Sequence, residues 1–342
     1  MVGFAGSGKT TVFNTLTGLA VPTGFGGEVH LGAVKVPDQR IDKLTAMFTP
    51  KKTTYAEIVF SDIPGEHDAE NKGLSRKGLA KIRDQEVLCL VIRAFDNPAI
   101  EGAPDPARDL EAFYTECLLA DLEIVERRLD RSKKEKLEPL EVAAFELMKI
   151  TLDTEMPLRS LPPQALNREF LKGYAMLTDR PLMVVLNRAE DEAAQPLPPA
   201  MVERLRKMYA AGLVLSASVE AEIARMDAAD QKEFLKDLGL TESARERFVR
   251  TAYGLLDLIS FFTVGPDEVR AWPIRRGLKA KQAAGKIHSD LERGFIRAEV
   301  MPYEDFIAGG SESALRDNGK LKLEGKDYTV GDGDIMNIRF NV

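Results

Sequence analysis

Cysteine is nearly absent. The 342 residues contain only Cys89 and Cys117, which excludes a disulfide-stapled fold and a multi-cysteine metal centre. Histidine is as scarce: His30, His67 and His288 lie far apart in the chain, which weakens the case for a histidine metal site. No apolar run approaches the roughly 18 residues of a membrane span, and the mean hydropathy is -0.20. No signal-peptide pattern precedes the glycine-rich segment at the amino-terminus, so the expected compartment is the cytoplasm. The formal net charge is -7, so any contact with nucleic acid has to come from a local basic patch. Hydrophobic residues at 44% and charged residues at 30% describe a soluble globular chain. Its length calls for two or three domains.

What is present begins with alternation. Short β-rich runs and helical stretches take turns through the early part of the chain, the pattern of βα units around a largely parallel sheet. The clearest strands are expected at 57–61, 87–92, 182–186 and 213–215. As short apolar runs they should be buried on both faces. Residues 106–177 carry a different texture, with Leu110, Phe113, Cys117, Ile124 and Leu129 at helical spacing. Pro106 stands where a helix can start. The run 127–136, with Arg127, Arg128, Arg131, Lys133, Lys134 and Lys136, reads as a solvated helical tip, and Pro157, Pro162 and Pro163 interrupt the chain beyond it. An antiparallel helical hairpin inserted into the α/β domain is the expectation. Beyond about residue 260, short strands and turns predict a small β-rich module.

The most specific motif is Gly3-Phe-Ala-Gly6-Ser7-Gly8-Lys9-Thr10, which matches G-x-x-x-x-G-K-[ST] at every fixed position. Its glycines let consecutive N–H groups turn inward around phosphates, and the helix beginning near Lys9 adds its positive end. Gly3, Gly6, Ser7, Gly8, Lys9, Thr10 and Thr11 form the expected phosphate site. Lys9 supplies a point charge to the outer phosphates, and the Thr10 hydroxyl can ligate Mg²⁺. Only Met1 and Val2 stand where a strand should precede such a loop, the pattern of a start that lies upstream. A plain glycine turn would share these glycines, but the strand at 57–61 runs into Asp62-Ile-Pro-Gly65. There Asp62 is placed to hold the Mg²⁺ shell and the Gly65 amide to sense a γ-phosphate.

After the strand at 182–186 comes Asn187-Arg188-Ala189-Glu190, where guanine-reading proteins carry N-K-x-D. The lysine is missing and glutamate replaces the aspartate. Guanine selection needs a carboxylate that accepts from two ring donors at once, and one extra methylene disturbs that geometry. Adenine is left open. A helix N-cap at Asn187 followed by an acidic first turn fits the same four residues. Ser216, Ala217 and Ser218 resemble the strand-end S-A-x element whose backbone approaches the base.

These elements resemble the YchF-type Obg-like ATPases, a branch of the P-loop GTPase superfamily. The resemblance runs along nearly the whole chain and includes Phe13-Asn14-Thr-Leu16-Thr17, Val36-Pro37-Asp38-Gln-Arg40, Ala120-Asp121-Leu122-Glu123 and Val219-Glu220-Ala221-Glu222. It is densest towards the carboxyl end, in Val269-Arg270-Ala271-Trp272, Gln282-Ala283-Ala284-Gly285, Gly294-Phe295-Ile296-Arg297 and Leu323-Glu324-Gly325-Lys326. The fold it implies is an α/β P-loop NTPase domain with an inserted helical (coiled-coil-like) hairpin and a C-terminal β-grasp TGS domain. The nucleotide-binding domain would take 1–105 and 178–260, the helical insert 106–177 and the TGS domain 261–342. The family's N-x-x-E base motif, associated with ATP preference, maps onto Asn187 and Glu190. Three positions depart from the family. Gly6 stands where asparagine is usual, Gly26-Gly27-Glu28-Val29 offers no match for the switch threonine, and Glu66-His67 replaces a hydrophobic residue after D-x-x-G.

The expected activity is slow nucleoside triphosphate hydrolysis that switches the protein's shape, with ATP preferred over GTP and Mg²⁺ as cofactor. Lys9 would neutralise developing charge, and Glu66 and His67 are candidates for positioning the attacking water. The last two read equally well as exposed polar residues on a switch loop. No arginine finger is identifiable, which argues for a low intrinsic rate. The alternatives are a GTP-binding GTPase and a nucleotide-gated binding module with negligible hydrolysis. A P-loop kinase would need an arginine-rich lid that the sequence lacks outside the helical insert. The basic runs at 127–136 and 270–286 (Arg270, Arg275, Arg276, Lys279, Lys281 and Lys286) suit ribosome or RNA contact. A monomer without membrane contact completes the expectation.

Overall fold

The computed structural model describes residues 1–24, 28–64, 76–134 and 137–341. Along the chain come α1 (Lys9–Thr17), β1 (His30–Lys35), α2 (Gln39–Phe48), β2 (Lys52–Thr54), β3 (Glu57–Asp62), α3 (Arg76–Arg83) and β4 (Leu88–Ala94). Next are a helical pair, α4 (Pro106–Ser132) and α5 (Pro139–Asp153), then β5 (Leu182–Arg188), α6 (Pro199–Lys207), β6 (Ala210–Leu215), α7 (Ala217–Ile223), α8 (Ala228–Asp237) and α9 (Ala244–Leu255). The chain ends with β7 (Leu258–Thr263), β8 (Glu268–Arg275), α10 (Ala280–Ile287), α11 (Ser289–Arg293), β9 (Phe295–Pro302), α12 (Tyr303–Gly309), α13 (Glu312–Asp317), β10 (Lys322–Glu324) and β11 (Asp334–Phe340). These elements divide into two units, Met1–Gly32 with Val59–Leu255 and Ala33–Ile58 with Leu256–Val342.

The first unit is built on parallel strands. β4 pairs with β5 and β5 with β6, in register Leu88↔Leu182 and Leu186↔Val214. Every residue of β5 is buried, as a strand covered on both faces must be. On the other side of β4, Val2 accepts from Val91 N–H and donates to the Cys89 carbonyl, both at 2.8 Å. Val2 thereby lies beside β4 at the entry to the phosphate loop. β3 departs from the expectation of burial on both faces: Ile58 and Phe60 are buried while Glu57 and Val59 are exposed. It pairs with β1 in a two-stranded sheet whose one face is left open, so its period is that of a half-buried strand.

The helical pair begins where proline predicts. Pro106 occupies the first turn of α4, and Asp105 caps it by accepting from Arg108 N–H at 3.0 Å. Phe113, Tyr114, Phe145 and Met148 from the pair share one core with Leu90, Ile92, Val184 and Leu186 of the sheet. A buried carboxylate adds direction to this apolar packing. Asp121, fully buried, accepts from the Leu177 and Thr178 amides, from the Thr178 hydroxyl and from Arg83 at the end of α3.

In the second unit the sheet order is β10-β9-β11-β7-β8-β2, with β11 parallel to β7 and its other neighbour, β9, antiparallel. Ala280 and Ala283 of α10 are small enough to lie against Phe261, Ile274 and Val300. Residues 33–58, expected within the nucleotide-binding part, belong to this unit. β2 extends its sheet beside β8, Phe48 stacks on Phe306 at 5.7 Å, and Arg40 bonds Asp38 and Asp332.

Candidate nucleotide site

The phosphate loop closes on α1, whose first residue is Lys9. Gly8 caps it at φ +82, and a Cβ there would lie 2.3 Å from Asn187 Nδ2, so only glycine fits. The loop opens on a cleft of about 460 Å³ lined by residues 4–11, 21–24, Glu28, His30, Asp62, Pro64 and 95–99. Gly3 is buried beside the Val91 carbonyl and lies off this lining. Thr10 Oγ1 donates to Asp62 Oδ2 at 2.8 Å, and Lys9 Nζ stands 3.8 Å from Asp62 Oδ1. Burial holds the Lys9 amine below its ordinary pKa, and the Asp62 charge opposes that shift.

Asp62 Oδ1 is buried and accepts no hydrogen bond. An orphaned carboxylate oxygen beside a threonine hydroxyl in a phosphate cleft is the donor set of a hard cation such as Mg²⁺. Among the described residues no cluster of three or more acidic, histidine or cysteine side chains could hold a metal by itself. A cation here would complete its shell with phosphate oxygens and water.

A second cleft, of about 740 Å³, shares Gly8, Thr11, Phe95 and Asp96 with the first. Ala94, Pro104, 187–189, Asp191, Glu192, Ala217 and Ser218 line the rest. Asn187 joins the two. Its Nδ2 donates to the Ser7 carbonyl at 3.0 Å and its Oδ1 accepts from Ala217 N–H at 3.0 Å. Phosphate loop, β5 and the start of α7 are thereby locked into one surface. Ser216 Oγ lies 2.9 Å from Ser218 Oγ at the start of α7.

The N-cap reading of Asn187 is overturned: it is the sixth residue of β5, and Ala189 precedes the short turn Glu190–Glu192. That turn carries Glu190 outward. Its side chain is exposed and absent from the lining, where Asp191 and Glu192 stand instead. Arg188, in place of the motif lysine, spends its guanidinium on Gln195 and the Pro196 carbonyl. Gly65, Glu66 and His67, like Gly26 and Gly27, lie outside the described residues. The motifs did not single out Phe95, Asp96 and Asn97. They come after the carboxyl end of β4, where ligands of parallel sheets bind, and that position was their only signal.

Comparison with known proteins places this geometry among relatives. A family model described as "YchF-GTPase_C: Protein of unknown function (DUF933)" matches residues 258–341. The chain is similar to the "Ribosome-binding ATPase YchF" of Bacillus subtilis (strain 168), with 38% identity over all of this chain and 98% of that relative. The protein of that name from Escherichia coli O157:H7 is 37% identical over the same shares of each. Among solved structures, the Schizosaccharomyces pombe YchF GTPase superposes with a TM-score of 0.89 at 30% identity, covering 99% of this chain and 96% of that one.

Proposed function

The chain belongs to the YchF family, and from that premise we propose that it is a ribosome-associated P-loop nucleoside triphosphatase that prefers ATP to GTP. The observation that carries this reading is the pair of clefts joined through Asn187, with Lys9, Thr10 and Asp62 in the phosphate half. The loop amides and Lys9 hold the β- and γ-phosphates and neutralise charge as the terminal phosphoryl leaves. Thr10 and Asp62 would hold Mg²⁺, which when bound supplies further charge neutralisation across the outer phosphates. Glu66 and His67 are our candidates for orienting the attacking water, and Gly65 for sensing the γ-phosphate. The turnover is slow in this reading, because among the described residues no arginine lines the phosphate cleft.

ATP preference rests on the base cleft. The fourth residue of the reading motif, Glu190, is exposed and off its lining, so the position that reads guanine elsewhere has no carboxylate in the cleft. A GTP-selective site would have to recruit Asp191 or Glu192, which do line it. Equilibrium titration with ATP and GTP decides between the two: ATP should bind at least as tightly. A clear preference for GTP that disappears in Asp191→Ala would establish the second reading instead. The relatives are named for ribosome binding. For this chain we assign that contact to the basic runs 127–136 and 270–286, in a monomer working in the cytoplasm. Phosphate release with and without ribosomes measures the coupling.

A further inference from the structure

The segment after β4 runs beside the phosphate loop, and none of the motifs gives it a task. Gly6 has φ +70, and a Cβ built there would lie 2.4 Å from Ile100 Cγ1 and 3.0 Å from Asn97 Nδ2. Side chains of this segment therefore occupy the space that a loop side chain would need. Asn97 Nδ2 donates to the Gly6 carbonyl at 3.2 Å, while its Oδ1 accepts from Ala99 N–H at 3.1 Å. The second bond fixes the first: with its oxygen held by an amide, the carboxamide can turn only its NH₂ towards the loop. The Asn97 carbonyl in turn accepts from Ile100 N–H at 3.0 Å, closing a tight turn that presents both side chains.

A phosphate cradle works when its N–H groups point inward, and that forces carbonyls such as that of Gly6 to point outward and find partners elsewhere. We propose that Asn97 is a positioning residue of the nucleotide site. It holds the Gly6 carbonyl outside the cradle, with Ile100 wedged against Gly6, so that the loop amides stay aimed at the phosphates. Asn97 also lines the phosphate cleft, so replacing its donor with a charge acts directly on the triphosphate. This assignment rests on the nucleotide-binding reading above and adds a residue to it.

The test compares Asn97→Asp, Asn97→Ala and Lys9→Ala with the parent protein. Affinities for a non-hydrolysable ATP analogue, ADP and AMP are measured together with the thermal midpoint without nucleotide. Asn97→Asp turns a donor into an acceptor facing a carbonyl, and should weaken the ATP analogue by about tenfold or more. ADP should lose less and AMP least, with the midpoint unchanged. Asn97→Ala should show the same order with smaller losses. Equal losses for all three ligands together with a lowered midpoint would mean that Asn97 only packs, and would overturn the assignment. So would parent-like affinities in Asn97→Ala while Lys9→Ala loses the analogue, whatever Asn97→Asp does, because the added carboxylate repels the triphosphate by itself; that result leaves the site itself standing. Retention of the analogue by Lys9→Ala overturns both.

Discussion

Asn187 shows how one side chain can be worth more to a site than its own contact with a ligand. It is 2% exposed, and both ends of its carboxamide are used, on Ser7 and on Ala217. Asn187→Ala would leave a buried carbonyl and a buried amide without partners, at a cost of about 1–3 kcal/mol. We expect a lower thermal midpoint and weaker binding of every nucleotide, purine base notwithstanding, measured by melting and titration on the same variant. Lys9 offers a pH signature. Burial lowers its pKa from the ordinary 10.5, so the cation that faces the phosphates is lost earlier as pH rises. Affinity for the ATP analogue should therefore begin to fall at a lower pH than the ordinary lysine value would set. A profile that bends only where an ordinary lysine titrates contradicts this.

At the scale of elements, the helical pair is held in place by Asp121 as much as by its apolar face. One carboxylate on α4 collects two backbone amides, a hydroxyl and the Arg83 guanidinium. α3, α4 and the segment entering β5 thus share a single anchor. Burial raises the Asp121 pKa, while the Thr178 and Leu177 bonds and Arg83 pull it down. Asp121→Ala strands all of these donors and should cost about 3–5 kcal/mol in the first unit, read as a large drop in denaturant midpoint. Asp121→Asn keeps an acceptor and should cost clearly less. If the two variants melt alike, the charge facing Arg83 carries the anchor and the neutral hydrogen bonds add little; a parent-like Asp121→Asn would mean that the ionic partner contributes nothing. β3 teaches the complementary lesson: its apolar run gives Val59 to solvent, because composition alone does not say how many faces of a strand will be covered.

For the whole molecule, the balance of charge decides what it can dock onto. A net charge of -7 repels a phosphate backbone everywhere except at local reversals. In the hairpin, Arg127 pairs with Glu123, Arg128 with Glu141 and Lys133 with Asp130, so acidic partners offset three of the described basic residues of that run. In the second unit, Arg276 reaches Asp257 and Lys279 bonds Thr329, while Lys281 and Lys286 are exposed. Arg270 lies over the Trp272 ring at 3.8 Å. We expect the second run to dominate: changing Arg275, Arg276 and Lys279 to alanine together should reduce co-sedimentation with ribosomes and flatten its salt dependence. Binding that persists unchanged at moderate salt would remove this face from the interface.

The sequence by itself determined the phosphate loop, Asp62 at the end of its strand, the parallel strands and the start of the long helix at Pro106. Each depends on a residue and its near neighbours: a glycine that must take positive φ, an apolar run, a proline suited to the first turn of a helix. Tertiary structure alone decided what depends on residues far apart in the chain. Ser7, Asn187 and Ala217 meet in one clamp. Asn97 reaches Gly6 from ninety-one positions away. Residues 33–58 join the carboxy-terminal unit. Glu190, which the motif placed on the base, is turned out to solvent while its two acidic neighbours face the cleft. A motif states which residues are near one another along the chain, but the direction of a side chain at a turn is set by the backbone that packing selects, and that is written across the whole fold.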